Sequence, residues 1–252
     1  MNSKILVATH KQYVFPPHEL YTPIHVGKAL TPVDFGYLGD DTQENISNKN
    51  RNFCELTALY WAWKNNFFEN AYYIGLVHYR RHFHGDLVFN NSKILSDTQI
   101  VAYLKDYDVI VPKKRNYYIE SIATHYKNAH YEKDLLETES IIKKFFPEYQ
   151  DAFSTLVSQK KLHLFNMFIM SKENFDNYMT WLFTILFELE KRTDISPYDS
   201  YQARLFGFMA ERLFNVWLIK NRLKTKELQV VNLEGENLPF KAYNLLKRKF
   251  KS

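Results

Sequence analysis

The sequence carries a single cysteine, Cys54, among 252 residues. An intramolecular disulfide and a cysteine zinc cluster are therefore excluded, and a reducing interior is the compartment the chain suits. Glycine is also scarce, at 7 residues. None of the seven falls in G-x-x-x-x-G-K-[ST] or G-x-G-x-x-G, the loops that cradle phosphates in P-loop and dinucleotide-binding proteins. No H-E-x-x-H and no G-x-S-x-G is present, which removes the zincin and nucleophile-elbow signatures. The apolar run Ile5-Leu-Val-Ala-Thr9 is too short for a secretory signal. No window reaches the roughly 18 apolar residues of a transmembrane helix. The expectation is a cytoplasmic protein, at most peripheral to the inner face of the cell membrane.

What the chain has instead is apolar and aromatic bulk. Hydrophobic residues make up 46% and aromatics 17%, with 20 Phe and 18 Tyr, so a large core can form and disorder is not expected. The net charge of +5 is mildly basic. It fits a phosphate-bearing ligand, an anionic membrane surface or nucleic acid, without choosing among them.

Short apolar runs read as buried strands at 5–9, 73–77, 109–111, 164–170 and 227–233. Helical patterns lie between and after them. One covers 53–65, with Phe53, Leu56, Tyr60 and Trp63 near one face; others cover 99–104 behind an Asp97 N-cap, 134–145, 148–160 and 171–192. Ser196-Pro-Tyr-Asp199 reads as the capped start of a last helix running to about Asn221. Residues 12–50 read as a long polar loop, and loops of that length tend to be functional. The order predicts one mixed α/β domain over 1–240 with a helical C-terminal half, followed by a basic tail, 241–252. Phe240 to Lys251 mixes bulky apolar residues with cations, a pattern suited to an anionic leaflet or to a solvated tail.

The segment Ile74-Gly-Leu-Val-His-Tyr-Arg-Arg81 concentrates the chemistry. A buried strand there delivers His78, Tyr79, Arg80 and Arg81 to one spot, and open α/β sheets bind ligands beyond the carboxyl ends of their strands. Adjacent guanidiniums suit a diphosphate or a structural partner equally well. Asn45, Ser47, Lys49 and Asn50 precede the 53–65 helix, where a helix N-terminus offers an anion site or ordinary capping. Asp40 and Asp41 follow Gly39 and read as turn residues, with a divalent cation site as the fallback. His78, His82 and His84 come closest to metal-ligand spacing, but no acidic or thiol partner completes a set. On the last helix, Arg204, Gly207 and Glu211 share a face, and a mid-helix glycine suggests a close approach.

The blocks Gly39-Asp-Asp-Thr42, Asn45-Ile-Ser47, Lys49-Asn50, Phe53-Cys-Glu-Leu-Thr57, Tyr60-Trp-Ala-Trp-Lys-Asn65 and Ile74 to Arg81 resemble a bacterial glycosyltransferase family. It was long catalogued as a domain of unknown function, with members in capsule, exopolysaccharide and O-antigen gene sets, some of them galactofuranosyltransferases. Val111 to Tyr117, His163 to Met170, and Tyr201 to Phe208 with Glu211-Arg212 resemble it too. The resemblance implies a GT-A-like, Rossmann-related fold. It also implies transfer of a sugar, such as galactofuranose from UDP-galactofuranose, to a glycan or lipid-linked acceptor.

Many GT-A enzymes carry an Asp-x-Asp metal site where this chain has His78-Tyr-Arg-Arg81. No cofactor is therefore expected, with Mg²⁺ or Mn²⁺ at Asp40 and Asp41 as the alternative. In this reading His78, Tyr79, Arg80, Arg81, Asn45, Ser47, Lys49, Asn50 and Arg204 hold the donor. Glu211, Asp199, His125 and His163, in that order, are candidates for the base, and inverting and retaining routes both stay open. Tyr117, Tyr118 and Tyr126 are candidates to stack on sugars. The rival readings are a nucleic-acid binder, disfavoured by the modest charge and the lack of a binding motif, and a phosphotransferase or nucleotide hydrolase, disfavoured by the missing P-loop.

Overall fold

In the core strands, successive side chains point to opposite faces, as a pleated backbone requires. In the computed structural model, which describes residues 2–234, Leu6, Ile74, Leu76, Val109, Val111, Phe168 and Met170 pack into one apolar cluster. Ile5, Val7, Val77, Ile110 and Ile169 pack into a second. Both faces of the sheet are thus covered, which explains why the strands read as unbroken apolar runs.

The strands are β1 (Ser3–Thr9), β2 (Tyr21–His25), β3 (Leu38–Gly39), β4 (Tyr73–His78), β5 (Arg81–Phe89), β6 (Ser92–Ile94), β7 (Val109–Pro112), β8 (Arg115–Asn116), β9 (Lys161–Leu162), β10 (Phe168–Ser171), β11 (Thr225–Leu228) and β12 (Val230–Asn232). The helices are α1 (Asn50–Phe53), α2 (Leu56–Lys64), α3 (Asp97–Tyr103), α4 (Ile122–Ala129), α5 (Glu132–Phe145), α6 (Gln150–Ser158), α7 (Lys172–Arg192) and α8 (Leu205–Lys220). The main sheet runs β11-β7-β10-β4-β1-β2-β3. β1 pairs in parallel with both β2 and β4, and β10 is antiparallel to β4 and β7. The helices of the C-terminal half pack into the larger cluster. The mixed α/β, GT-A-like architecture expected from the sequence is the one observed.

Several local expectations are corrected. The helix over 53–65 is two helices, because Cys54 takes φ 54° and ψ −136° between them. The Asn50 side-chain amide holds that break, donating to the Cys54 carbonyl at 2.7 Å and to Thr57 Oγ1 at 3.1 Å. Ser96, not Asp97, caps α3 by accepting from the Gln99 N–H. Ser196 does not start the last helix. Asp199 accepts from the backbone N–H groups of Tyr201 and Gln202, both at 2.8 Å, closing a short 3₁₀ turn (Gln202–Arg204) before α8. The run over 164–170 is extended only from Phe168, since Phe165 and Asn166 have positive φ. The strand expected at 227–233 is split between β11 and β12, and β5 lies where no strand was expected.

The loop over 12–50 contains β2 and β3 and closes around a buried carboxylate. Asp40 is fully buried and accepts from Gly27 N (2.9 Å), Lys28 N (3.1 Å) and the Ser47 hydroxyl. Gly27 sits at φ 69°, and a Cβ there would meet the Asn50 side chain at under 3 Å. The basic tail and its membrane-contact reading, Phe240 to Lys251, lie outside the described residues.

Candidate functional site

A cleft of about 430 Å³ opens where β1 and β4 end. Its walls come from six places in the chain: the end of β1, Val26 after β2, the α1–α2 break, the β4–β5 turn, the Phe165 loop and the start of α8. Parallel neighbours ending together leave such a crevice by topology.

The β4–β5 turn pairs His78 with Arg81, leaving Tyr79 and Arg80 at its tip. The His78 Nε2–H donates to the Phe165 carbonyl at 2.7 Å, which ties the turn to the loop before β10. Arg81 lies over the Phe165 ring at 4.7 Å; burial, then the adjacent Arg80, lowers its pKa. Arg80 reaches Glu234 at 3.5 Å. Arg51 on α1 and Arg204 at the mouth of α8 complete four guanidiniums around one space. His10 adds an imidazole edge-on to Tyr79; burial first, then Lys11 and Arg80, lowers the His10 pKa.

Two carboxylates face these cations. Glu211 is mostly buried, with 17% side-chain exposure. It accepts from the Phe165 backbone N–H at 2.7 Å and from Arg212 at 3.0 Å. Burial raises its pKa above the usual carboxylate range, while Arg212 and the Phe165 N–H pull it back. Glu55 accepts from the Asn166 amide at 2.7 Å through one oxygen; its second oxygen has no hydrogen-bond partner among the described residues. Cys54, Phe165 and Asn166, all at positive φ, are the backbone that aims these two acids. Such conformations cost non-glycine residues about 1–3 kcal/mol each and cluster at functional sites. Gly207 makes room for the break: a Cβ there would lie 2.9 Å from the Cys54 sulfur. Burial pushes the Cys54 thiol to about 11, so it stays neutral and accepts from the Arg204 Nε–H at 3.3 Å.

Of the residues singled out in the sequence, the cleft collects His78, Tyr79, Arg80, Arg81, Asn50, Arg204 and Glu211. It does not collect Asn45, Ser47, Lys49, Asp199, His125 or His163. Asn45 accepts from the Ser47 N–H, Ser47 serves Asp40, and Lys49 pairs with Glu190 at 2.7 Å. His163 is buried, its Nδ1–H donating to the Pro112 carbonyl at 2.6 Å. Burial pulls its pKa down to about 4, and it lines a separate hollow beside Lys114 and Arg222. His125 stacks flat on Tyr117 at 3.7 Å. Tyr126 is fully buried and unable to meet a sugar, whereas Tyr118 is exposed. Arg51, Glu55, His10, Cys54 and Phe165 are cleft residues that sequence reasoning missed. Glu55 was hidden because a continuous 53–65 helix gives it no special position.

Asp40 uses both oxygens on buried protein donors and so does not fit a divalent cation. His82 is fully buried, apart from the cleft. Among the described residues, no group of three or more His, Cys, Asp or Glu side chains is arranged to hold a metal ion.

Residues 4–222 match a family described as "Domain of unknown function (DUF4422)". The chain belongs to that family. It is also similar to the solved apo structure of the WbbM bifunctional glycosyltransferase, with 34% identity over 94% of this chain and a TM-score of 0.83. The match spans 46% of the WbbM chain. No curated protein matches the chain. The DUF4422 match takes in every residue that lines the cleft.

Proposed function

We propose that the chain is a glycosyltransferase that binds a nucleoside-diphosphate sugar in the cleft and passes the sugar to a hydroxyl of a glycan or lipid-linked acceptor. The observation that carries this reading is the set of four guanidiniums, Arg51, Arg80, Arg81 and Arg204, gathered with the carboxylates Glu55 and Glu211 in one crevice. The likeness to WbbM supports it. The donor we assign is UDP-galactofuranose, on the strength of the sequence resemblance, and the compartment is the cytoplasm, where a nucleotide-sugar donor and a lone unpaired cysteine both belong.

In this mechanism the bond between the anomeric carbon and the diphosphate oxygen breaks as the acceptor oxygen bonds to that carbon. The acceptor proton passes to Glu211, whose raised pKa makes it a stronger base than an exposed glutamate. The departing diphosphate gains negative charge, and guanidiniums already aimed at it stabilise that charge without reorganising. The side chains thus take the part a divalent cation plays in Asp-x-Asp sites. Glu55, with an oxygen left to accept, is the second carboxylate in reach of the sugar.

The test is calorimetry of UDP, UDP-galactopyranose and UDP-galactofuranose, with EDTA and then with Mn²⁺, on the wild type and Arg81→Ala. UDP-sugar binding that survives EDTA and weakens in the variant is the expected result. Binding that requires the metal sinks the cation-only mechanism, and release of inorganic phosphate in place of UDP replaces transfer with hydrolysis.

A further inference from the structure

Next to Arg204 of the cleft lies a surface whose chemistry differs from the cationic interior. Arg204, at the N-cap of α8, and Phe208 and Glu211 within it follow one another at helical spacing along one side of the helix. Phe208 therefore lies between a guanidinium of the cleft and the proposed base. Arg204 covers its ring at 5.4 Å. His130 approaches the same ring at 4.4 Å and Tyr201 at 5.2 Å. His130 and Tyr201 are themselves near-parallel, at 15° and 5.9 Å. Phe208 packs against the edge of the core, and none of the three rings is fully buried. Phe208 and His130 are half-buried, and Tyr201 is 53% exposed.

One polar atom on this surface is left over. The Gln202 amide donates to the Ala129 carbonyl at 2.9 Å, which fixes its oxygen toward His130. His130 Nδ1 therefore donates to that oxygen at 2.9 Å. Burial lowers the His130 pKa, so the ring is neutral near pH 7. Its Nε2 then carries a lone pair with no protein partner among the described residues. Ring faces carry negative quadrupole density that attracts the polarised C–H groups of a sugar, and a lone pair beside them accepts from a sugar hydroxyl.

We propose that the surface formed by His130, Tyr201 and Phe208 is an acceptor subsite for a carbohydrate ring, which it presents with one hydroxyl toward Glu211. This rests on the glycosyltransferase reading of the cleft, and extends it by naming the acceptor as a glycan held through stacking. A bare lipid phosphate would gain nothing from a surface built of three rings, of which Tyr201 is the most exposed. Sequence pattern alone had pointed to other tyrosines, of which Tyr126 is buried.

The experiment uses octyl β-glycosides of galactose, glucose, mannose and N-acetylglucosamine as probes, by saturation-transfer NMR in the presence of UDP. It compares the wild type with Tyr201→Ala and Tyr201→Trp, and UDP affinity is measured on each by calorimetry. Tyr201 is exposed enough that neither substitution threatens folding. The expected result is transfer to the sugar-ring protons of at least one glycoside in the wild type. Its affinity falls on the order of tenfold in Tyr201→Ala and is restored in Tyr201→Trp, with UDP affinity equal in all three. No ring signal from any glycoside, signal from the octyl chain alone, or signal unchanged in Tyr201→Ala overturns the subsite. A parallel loss of UDP affinity also overturns it, because Tyr201 would then belong to the donor pocket. Absence of UDP binding in the wild type, with Tyr201-dependent glycoside binding intact, defeats the donor assignment and leaves the sugar surface standing.

Discussion

Asp40 and Glu211 are both buried carboxylates beside backbone N–H groups, and their surroundings give them opposite uses. Asp40 lies under a loop with no exposure, and three donors from Gly27, Lys28 and Ser47 converge on it. Its negative charge is consumed in closing residues 26–47. Glu211 has one donor on each oxygen and opens on a cleft of about 430 Å³ lined with guanidiniums. The first is what a buried acid looks like when it holds a fold together; the second keeps acceptor capacity for a ligand. Hydrogen-bond accounting and access to a cavity separate them, where residue type and burial alone do not.

The largest effect that sharpens this contrast is on catalysis. Glu211→Gln is expected to lower kcat by about 10²–10⁴-fold, the usual range for a lost general base, while UDP affinity changes little. The wild-type kcat/KM profile should fall on acidification at a pH above the ordinary glutamate range. The cause is the raised pKa of Glu211, since protonation removes the base; a pH–rate profile checks this, and the Gln variant should lose that limb. Asp40→Ala should act on stability instead. Stranding buried donors costs on the order of 1–3 kcal/mol each, so urea unfolding should show a large loss. An Asp40→Ala protein that folds normally yet loses activity would break the comparison.

Arg81→Ala is expected to weaken UDP binding by roughly 10–100-fold, as loss of a charge-assisted contact of about 1.5–3 kcal/mol implies. Arg80→Ala should cost less, because Arg80 also reaches Glu234; calorimetry on both variants decides. Gly207→Ala forces a Cβ to within 2.9 Å of the Cys54 sulfur. Overpacking of that kind costs about 1–3 kcal/mol, and the displaced Cys54–Glu55 segment should lower kcat as well as Tm.

The smallest expected effect concerns His82, which is fully buried with neither ring nitrogen hydrogen-bonded among the described residues. Burial, and secondarily His78, pulls its pKa from 6.5 to about 3. Between those values the unfolded chain binds a proton that the folded protein refuses. Stability is therefore full above pH 6.5 and declines as pH falls toward 3. His82→Phe should flatten that decline with little change at pH 7.5, measured by urea unfolding at pH 7.5 and 5.

Much of this was legible from periodicity. Apolar runs at 5–9, 73–77 and 109–111 became β1, β4 and β7, because a strand buried on both faces leaves an unbroken apolar trace. The amphipathic stretches at 134–145 and 171–192 became α5 and α7 for the corresponding helical reason. His78 to Arg81 drew notice as an abrupt cationic end to an apolar strand, and that strand does end in the cleft. The break at Cys54 was not legible. No glycine or proline marks it, and it depends on the Asn50 side chain and on Gly207, far away in sequence. Asp199 shows the opposite failure: a good helix-start motif became a turn cap, because the residues that follow it close a 3₁₀ turn first.

By itself the sequence determined the layered α/β arrangement and the cationic strand end, because hydrophobic period and local charge are properties of contiguous residues. Only the tertiary structure decided which acids serve the fold and which face a ligand. It alone joined Glu55 on one side of the Cys54 break to Glu211 on α8, and brought Arg51, Arg81 and Arg204 around them. The contact between Cys54 and Arg204 alone spans 150 residues. A distance of that kind is set by how the sheet stacks its strand ends, which no local pattern records.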